Sequence, residues 1–108
     1  MVYATEVQRI IGAGRLSRKE DVFVLRGMRV LKEHRGRGIG KAILDALVSE
    51  AGNHICYCIP YSYLRDFFSA RGFNEIEPQE APNFLCSRFW DYRARGLDVM
   101  LMRRVPKV

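Results

Sequence analysis

The stretch HRGRGIGKAIL, residues 34–44, places three glycines at alternate positions among two arginines, directly before an apolar helical pattern. Glycine loses the most backbone freedom on folding, so its repeated use in a short stretch marks a close approach to the main chain. Gly36, Gly38 and Gly40 are therefore read as making room for a ligand. The helix that follows supplies first-turn N–H groups without intrahelical partners, at the positive end of the helix dipole, where an anion is favoured. Arg35, Arg37 and Lys41 add full charges to that partial one. A phosphate group suits this chemistry.

Outward from the glycines, the spacing predicts a helix over Ile39–Ala51, with Ile39, Ala42, Ile43, Ala46 and Leu47 on one face and Lys41, Asp45 and Ser49 on the other. Gly52-Asn53 ends it. Upstream, Val2–Glu6, residues 10–16 (IIGAGRL) and Val22–Val30 read as an antiparallel meander, with a charged turn at 17–21. Gly27, inside the third strand, marks a bulge or close backbone approach. Downstream, residues 54–59 (HICYCI) make a buried strand whose helical crossover implies parallel pairing with an earlier strand. Ser62 is placed to cap a second helix over 63–71, closed by Gly72 with Phe73 behind it. A strand from 74 to 77, a loop at 78–82 and a last strand at 97–105 complete the order. The class expected is α+β, with one mixed, mostly antiparallel sheet and two main helices.

A chain of 108 residues has room for one core, so residues 1–108 are expected to form a single domain. An apolar fraction of 48% beside 28% charged residues excludes a disordered chain. No apolar run approaches the ~20 residues that cross a bilayer, and Glu6 and Arg9 interrupt the N-terminus too early for a signal peptide. A cytoplasmic protein without membrane partners is the expectation. Cys56, Cys58 and Cys86 form no CxxC pair, which points away from a disulfide framework and from a zinc site. Cys56 and Cys58 are expected as small buried hydrophobes on a strand. The net charge is +6, and 14 of the 18 basic residues are arginine, which favours planar, bidentate anions such as carboxylate or phosphate. With no single basic run, nucleic acid is a poor candidate partner.

Two common phosphate loops fail on spacing. A P-loop ending at Gly40-Lys41 would put Arg35 at its first glycine and Ala42 at its hydroxyl, and the dinucleotide fingerprint would need a glycine where Lys41 stands. The pattern present is R-x-x-G-x-G, Arg35-Gly36-Arg37-Gly38-Ile39-Gly40, after a strand and before an amphipathic helix. Residues 30–40, VLKEHRGRGIG, resemble the acetyl-CoA site of the GNAT N-acetyltransferase superfamily, with Lys32 where proline is common. Downstream, residues 67–73 (FFSARGF) resemble the family's second motif, f-Y-e-k-l-G-F. The resemblance runs from about residue 2 to residue 105. It implies a GNAT-like fold lacking the first strand and helices, which would make this a short, N-terminally reduced member.

The resemblance implies an N-acetyltransferase that moves an acetyl group from acetyl-CoA, its cosubstrate, to a small-molecule or peptide amine by direct attack, with no metal. It places pantetheine against the backbone of Val30 and Leu31. The pyrophosphate falls on the amides of Arg35, Gly36, Arg37, Gly38, Ile39, Gly40 and Lys41. Phe68 occupies the cofactor-side position where the second motif often carries a Tyr that protonates the leaving thiolate, and Phe has no proton to give. Tyr61 and Tyr63 lie nearby in sequence, and Val22–Val30 lacks the carboxylate the family often has there, so the catalytic residues stay unassigned. His34 is expected as an ordinary solvated loop histidine. Arg26 and Arg29 would face opposite sides of a regular strand, but a bulge at Gly27 could bring them together, and either could suit a carboxylate-bearing acceptor. Residues 86–96 (CSRFWDYRARG) are expected as a structured connector that packs its aromatics, base stacking being the functional alternative. The alternatives to transfer are a catalytically silent acyl-CoA-binding domain and a basic nucleic-acid-associated protein. A homodimer is expected, to cover what the missing front of the fold would leave exposed.

Overall fold

Residues 9–30 fold back on themselves as a long hairpin rich in β-branched and apolar residues, with arginines interspersed. The computed structural model describes residues 2–6, 9–19, 21–30, 36 and 38–106. Strand β1 (Val2–Glu6) pairs antiparallel with β2 (Arg9–Lys19), which pairs antiparallel with β3 (Val22–Val30). Strand β2 runs further than the sequence predicts. Ser17, Arg18 and Lys19, expected in a charged turn, pair instead with Val24, Phe23 and Val22. Polar side chains cost little at an exposed hairpin end, so the ladder continues until Asp21 takes a left-handed backbone (φ 66°) and accepts a hydrogen bond from Arg18 at 3.1 Å.

Helix α1 (Ile39–Ala51) lies on this meander. Its buried residues are Ile43, Leu44, Leu47 and Ala51, whereas Ala42 and Ala46, expected inward, are exposed. Turning Leu44 inward removes more apolar surface from water than two alanine methyls would, and burial scales with that area. Lys41, Asp45 and Ser49 are exposed as expected. The helix ends at Gly52 (φ 59°), whose N–H reaches back to the carbonyls of Val48 and Ser49. Beyond it, Phe23 N–H donates to Ile55 O at 3.0 Å, and the Phe23 ring meets His54 edge-on.

By contacts the chain divides into two units: residues 1–56 with 106–108, and Tyr57–Val105. The meander and α1 make up the first. Strand β4 (Cys56–Cys58) straddles the boundary, and all three of its residues are buried, the two cysteines among them. In the second unit, β6 (Met102–Arg104) lies between β4 and β5 (Asn74–Glu75), pairing antiparallel with the latter. Its core gathers Phe68, Phe73, Leu85 and Phe89 with the apolar run 99–102. The α+β class with a mixed sheet is as expected; several details differ.

The second helix is shorter than 63–71. A 3₁₀ turn at Ser62–Leu64 leads into α2 (Arg65–Ser69), and Ser62 does not cap it. The Ser62 hydroxyl donates to Asp98 Oδ1 at 2.9 Å instead, while Ser62 N–H bonds Asp98 O. Gly72 (φ 89°) and the buried Phe73 close α2 as expected, with Phe73 N–H on Phe68 O. The stretch 78–82, expected as loop, holds a 3₁₀ turn at Pro78–Glu80, where Glu77 N–H donates to the Glu80 carboxylate. Most of 86–96 is helix: α3 (Asn83–Ala94) is the second long helix among the described residues. Only Leu85 and Phe89 of α3 are fully buried, one helical turn apart, so no wide apolar stripe announces it. Gly96 (φ 84°) stops it, with Leu97 N–H on Tyr92 O at 3.1 Å. The regular part of the last strand is Met102–Arg104 rather than 97–105. Among the described residues, no helix is long and apolar enough to cross a membrane.

The seat of α1 depends on Gly14. A Cβ built there would lie 2.8 Å from Leu47 Cδ1, 2.9 Å from Ile43 Cγ2 and 3.0 Å from Met28 Cγ, closer than carbon atoms tolerate. Gly14→Val should therefore overpack this seam and cost about 1–3 kcal/mol. Urea unfolding should show a lower midpoint with an unchanged m-value; an unchanged midpoint would mean the helix can lift off the sheet freely.

Candidate functional site

The glycine stretch builds a backbone feature at the start of α1. Gly36 and Gly38 are both left-handed, with φ 85° and 77°, whereas Gly40 is an ordinary helical residue in the first turn. A simple corner needs one left-handed residue; here there are two, at alternate positions. Gly38 is the N-cap and provides no side chain to bond the first turn, and no acid lies in that turn. Ala42 N–H is the first to bond within the helix, to Gly38 O at 3.0 Å. The amides of Ile39, Gly40 and Lys41 precede it and have no intrahelical carbonyl to reach. A Cβ at Gly36 or Gly38 would meet nothing within 4 Å, so open space lies beside both. Lys41 is exposed at the same turn.

These are the features of an anion cradle: uncommitted donors, the positive end of a 13-residue helix dipole, and room for a group that is not side chain. Of the predicted site residues, Val30 ends β3, paired with Gly12 of β2, and Gly36, Gly38, Ile39, Gly40 and Lys41 line the loop and first turn. Leu31, Arg35 and Arg37 lie outside the described residues, as does His34. Phe68 belongs to α2; it is buried, with its ring edge-on to Phe67 and Phe73. Tyr61 and Tyr63 stack on one another at 5.9 Å and are both exposed. Among the described residues there is no cluster of three or more metal-ligating side chains.

The bulge anticipated at Gly27 is present. The β2–β3 register shifts between Ala13 and Arg15, so that Gly14 faces two residues of β3, and Gly27 takes φ 62°. Arg26 thereby pairs with Arg15, and position 29 pairs with Ala13. Positions 13 and 15 share a face of β2, so the extra residue brings positions 26 and 29 to one face of the sheet. Arg15 escapes a reading of the sequence alone because its partner emerges only from the register. Counting back from the pairing of Lys19 with Val22 puts 15 opposite 26.

Known proteins share the fold. The family model of the acetyltransferase (GNAT) domain matches residues 1–75. Rv2747 of Mycobacterium tuberculosis, solved in complex with CoA, superposes with a TM-score of 0.79 at 23% identity, covering 97% of this chain and 75% of that one. N-acetylglutamate synthase of Neisseria gonorrhoeae, complexed with coenzyme A and N-acetyl-glutamate, gives 0.74 at 20% identity, over 92% of this chain and 24% of the synthase. A GNAT-family acetyltransferase of Staphylococcus aureus Mu50 gives 0.70 at 26% identity, over 93% and 62%. No curated protein sequence matches the chain.

Proposed function

Because the chain belongs to the GNAT acetyltransferase superfamily, we propose that it is an acyl-CoA-dependent N-acetyltransferase, with acetyl-CoA as cosubstrate and an amine as acceptor. The observation that carries this reading is the start of α1. Two left-handed glycines open clear space beside a helix N-terminus that no side chain caps and no acid occupies. A phosphate-bearing cosubstrate fits there: the amides of Gly36, Gly38, Ile39, Gly40 and Lys41 would hold its pyrophosphate, with Arg35 and Arg37 contributing from the loop. By the family resemblance, the main chain of Val30 and Leu31 would receive the pantetheine. The neighbours solved with CoA support the same assignment.

Acyl-CoA supplies an activated thioester whose thiol leaving group, with a pKa near 8.5 against about 10 for a phenol, can depart without a phenolic proton. Phe68 fits that requirement: it provides an apolar ring and no hydroxyl. The protein's task is then to bind, orient and exclude water, with the acceptor amine arriving uncharged. Direct transfer needs no acyl-cysteine, and Cys56 and Cys58 are buried within β4, out of reach of a substrate.

CoA at ~100-fold its dissociation constant should stabilise the folded chain by roughly 2.7 kcal/mol. Gly38→Val should cost about 1–2 kcal/mol in the free protein, through the left-handed backbone, and should abolish the CoA-induced shift. Thermal unfolding of each variant with and without CoA reads both effects, and an undiminished shift in Gly38→Val would remove the loop from the site. Transfer, followed by thiol release, should rise with pH as the acceptor amine deprotonates. Phe68→Tyr should change kcat less than tenfold, about 1.4 kcal/mol of barrier. CoA binding with no amine-dependent release of thiol from acetyl-CoA would leave a silent acyl-CoA-binding domain as the reading.

A further inference from the structure

Strands β2 and β3 contain no aspartate or glutamate, yet they place two arginines directly opposite each other. Like charges at facing positions of an antiparallel pair repel and work against the ladder. Several other arginines find partners: Arg18 bonds Asp21, Arg65 bonds Glu75, Arg93 bonds Val99 O and Arg104 bonds Arg71 O. Among the described residues, no acid pairs with Arg15 or Arg26. Arg26 is half-buried and Arg15 exposed, so a cation stands at a half-buried position without a counter-charge. An arrangement that costs stability in the free chain fits a site whose missing partner is an anion.

We propose that Arg15 and Arg26 together bind a carboxylate of the amine acceptor. The proposal rests on the transferase reading above and names the substrate class for it: amines that carry a carboxylate, amino acids foremost. Alternation along β2 puts Arg15 on the face opposite Gly14, and Gly14 is the residue on which α1 sits. The pair therefore lies on the face of the meander away from α1. Two planar guanidinium forks carried at facing positions match a planar carboxylate, each able to donate two parallel hydrogen bonds. A phosphate of the cosubstrate is the other anion at hand. The cradle for it is at the start of α1, while Arg26 lies four residues, ~13 Å, back along β3 from Val30. The bulge at Gly27, one residue beyond Arg26, brings position 29 to the same face.

The test compares the full chain with Arg15→Gln and Arg15→Lys, using acetyl-CoA and a panel of L-amino acids, each beside its α-amide. The acids should be the better acceptors. Arg15→Gln should raise their KM at least tenfold and narrow the acid-over-amide preference, with kcat and CoA affinity near those of the wild type. Arg15→Lys should restore part of the preference, because it keeps the charge and loses the fork. The urea midpoint of Arg15→Gln should not fall, since the substitution relieves a repulsion; a residue with only a structural role would lower it. Equal use of acids and amides by the wild type would overturn the proposal. So would a loss of CoA affinity in Arg15→Gln, which would assign the pair to a cosubstrate phosphate. If no amine is acylated, the transfer reading fails by itself. Calorimetry of CoA-saturated protein with the same acids and amides then decides the pair: acid binding that Arg15→Gln abolishes upholds it, and no acid binding refutes it.

Discussion

The contact between α1 and the meander at Gly14 is the constraint on which the first unit depends. Ile43 and Leu47 lie so close to the β2 backbone that no side chain fits between. That approach fixes the depth of the helix on the sheet, and with it the position of the helix N-terminus. The anion cradle is a terminal property of α1, so its geometry is inherited from a packing contact one to two turns along the helix. A seam packed to this density transmits displacement rather than absorbing it. A change at Gly14 would therefore be felt at Gly38 without any contact between the two.

The glycines of the loop serve a different purpose from Gly14. At Gly36 and Gly38 the space beside the backbone is open, and the requirement is for a positive φ. At Gly14 the space is filled, and the requirement is for no Cβ. Gly72 and Gly96 form a third group, closing α2 and α3 through left-handed residues whose following amides reach back to Phe68 O and Tyr92 O. A single residue type thus solves a backbone-conformation problem, a packing problem and a termination problem within one short chain.

What the sequence disclosed follows the same division. The loop, the helix after it, the bulge at Gly27 and the stop at Gly72-Phe73 were legible because each is encoded locally, by spacing or by a backbone demand that few residues meet. Helix α3 was not, because only Leu85 and Phe89 are fully buried on it and its aromatics and arginines are distributed around the axis. The inward turn of Leu44, at the expense of Ala42 and Ala46, was decided by the sheet beneath rather than by helical periodicity. Ser62 has the chemistry of a helix cap, but Asp98, 36 residues away, takes its hydroxyl. The pairing of Arg15 with Arg26 is likewise a fact of register, visible only once the length of the turn between β2 and β3 is known.

The hairpin formed by β2 and β3 has a consequence that reaches beyond contact distance. Residues 9–30 hold six basic side chains and two acids, so four of the chain's six net positive charges belong to one supersecondary element. A charge surplus confined to one hairpin gives its surroundings a positive potential that extends for about a Debye length, ~8 Å at physiological ionic strength. Anions diffusing nearby are drawn toward that element before any hydrogen bond forms, which raises encounter rates and makes them sensitive to salt. The same arginines, on two strands that contain no acid, thus give the hairpin a reach that a neutralised hairpin would lack.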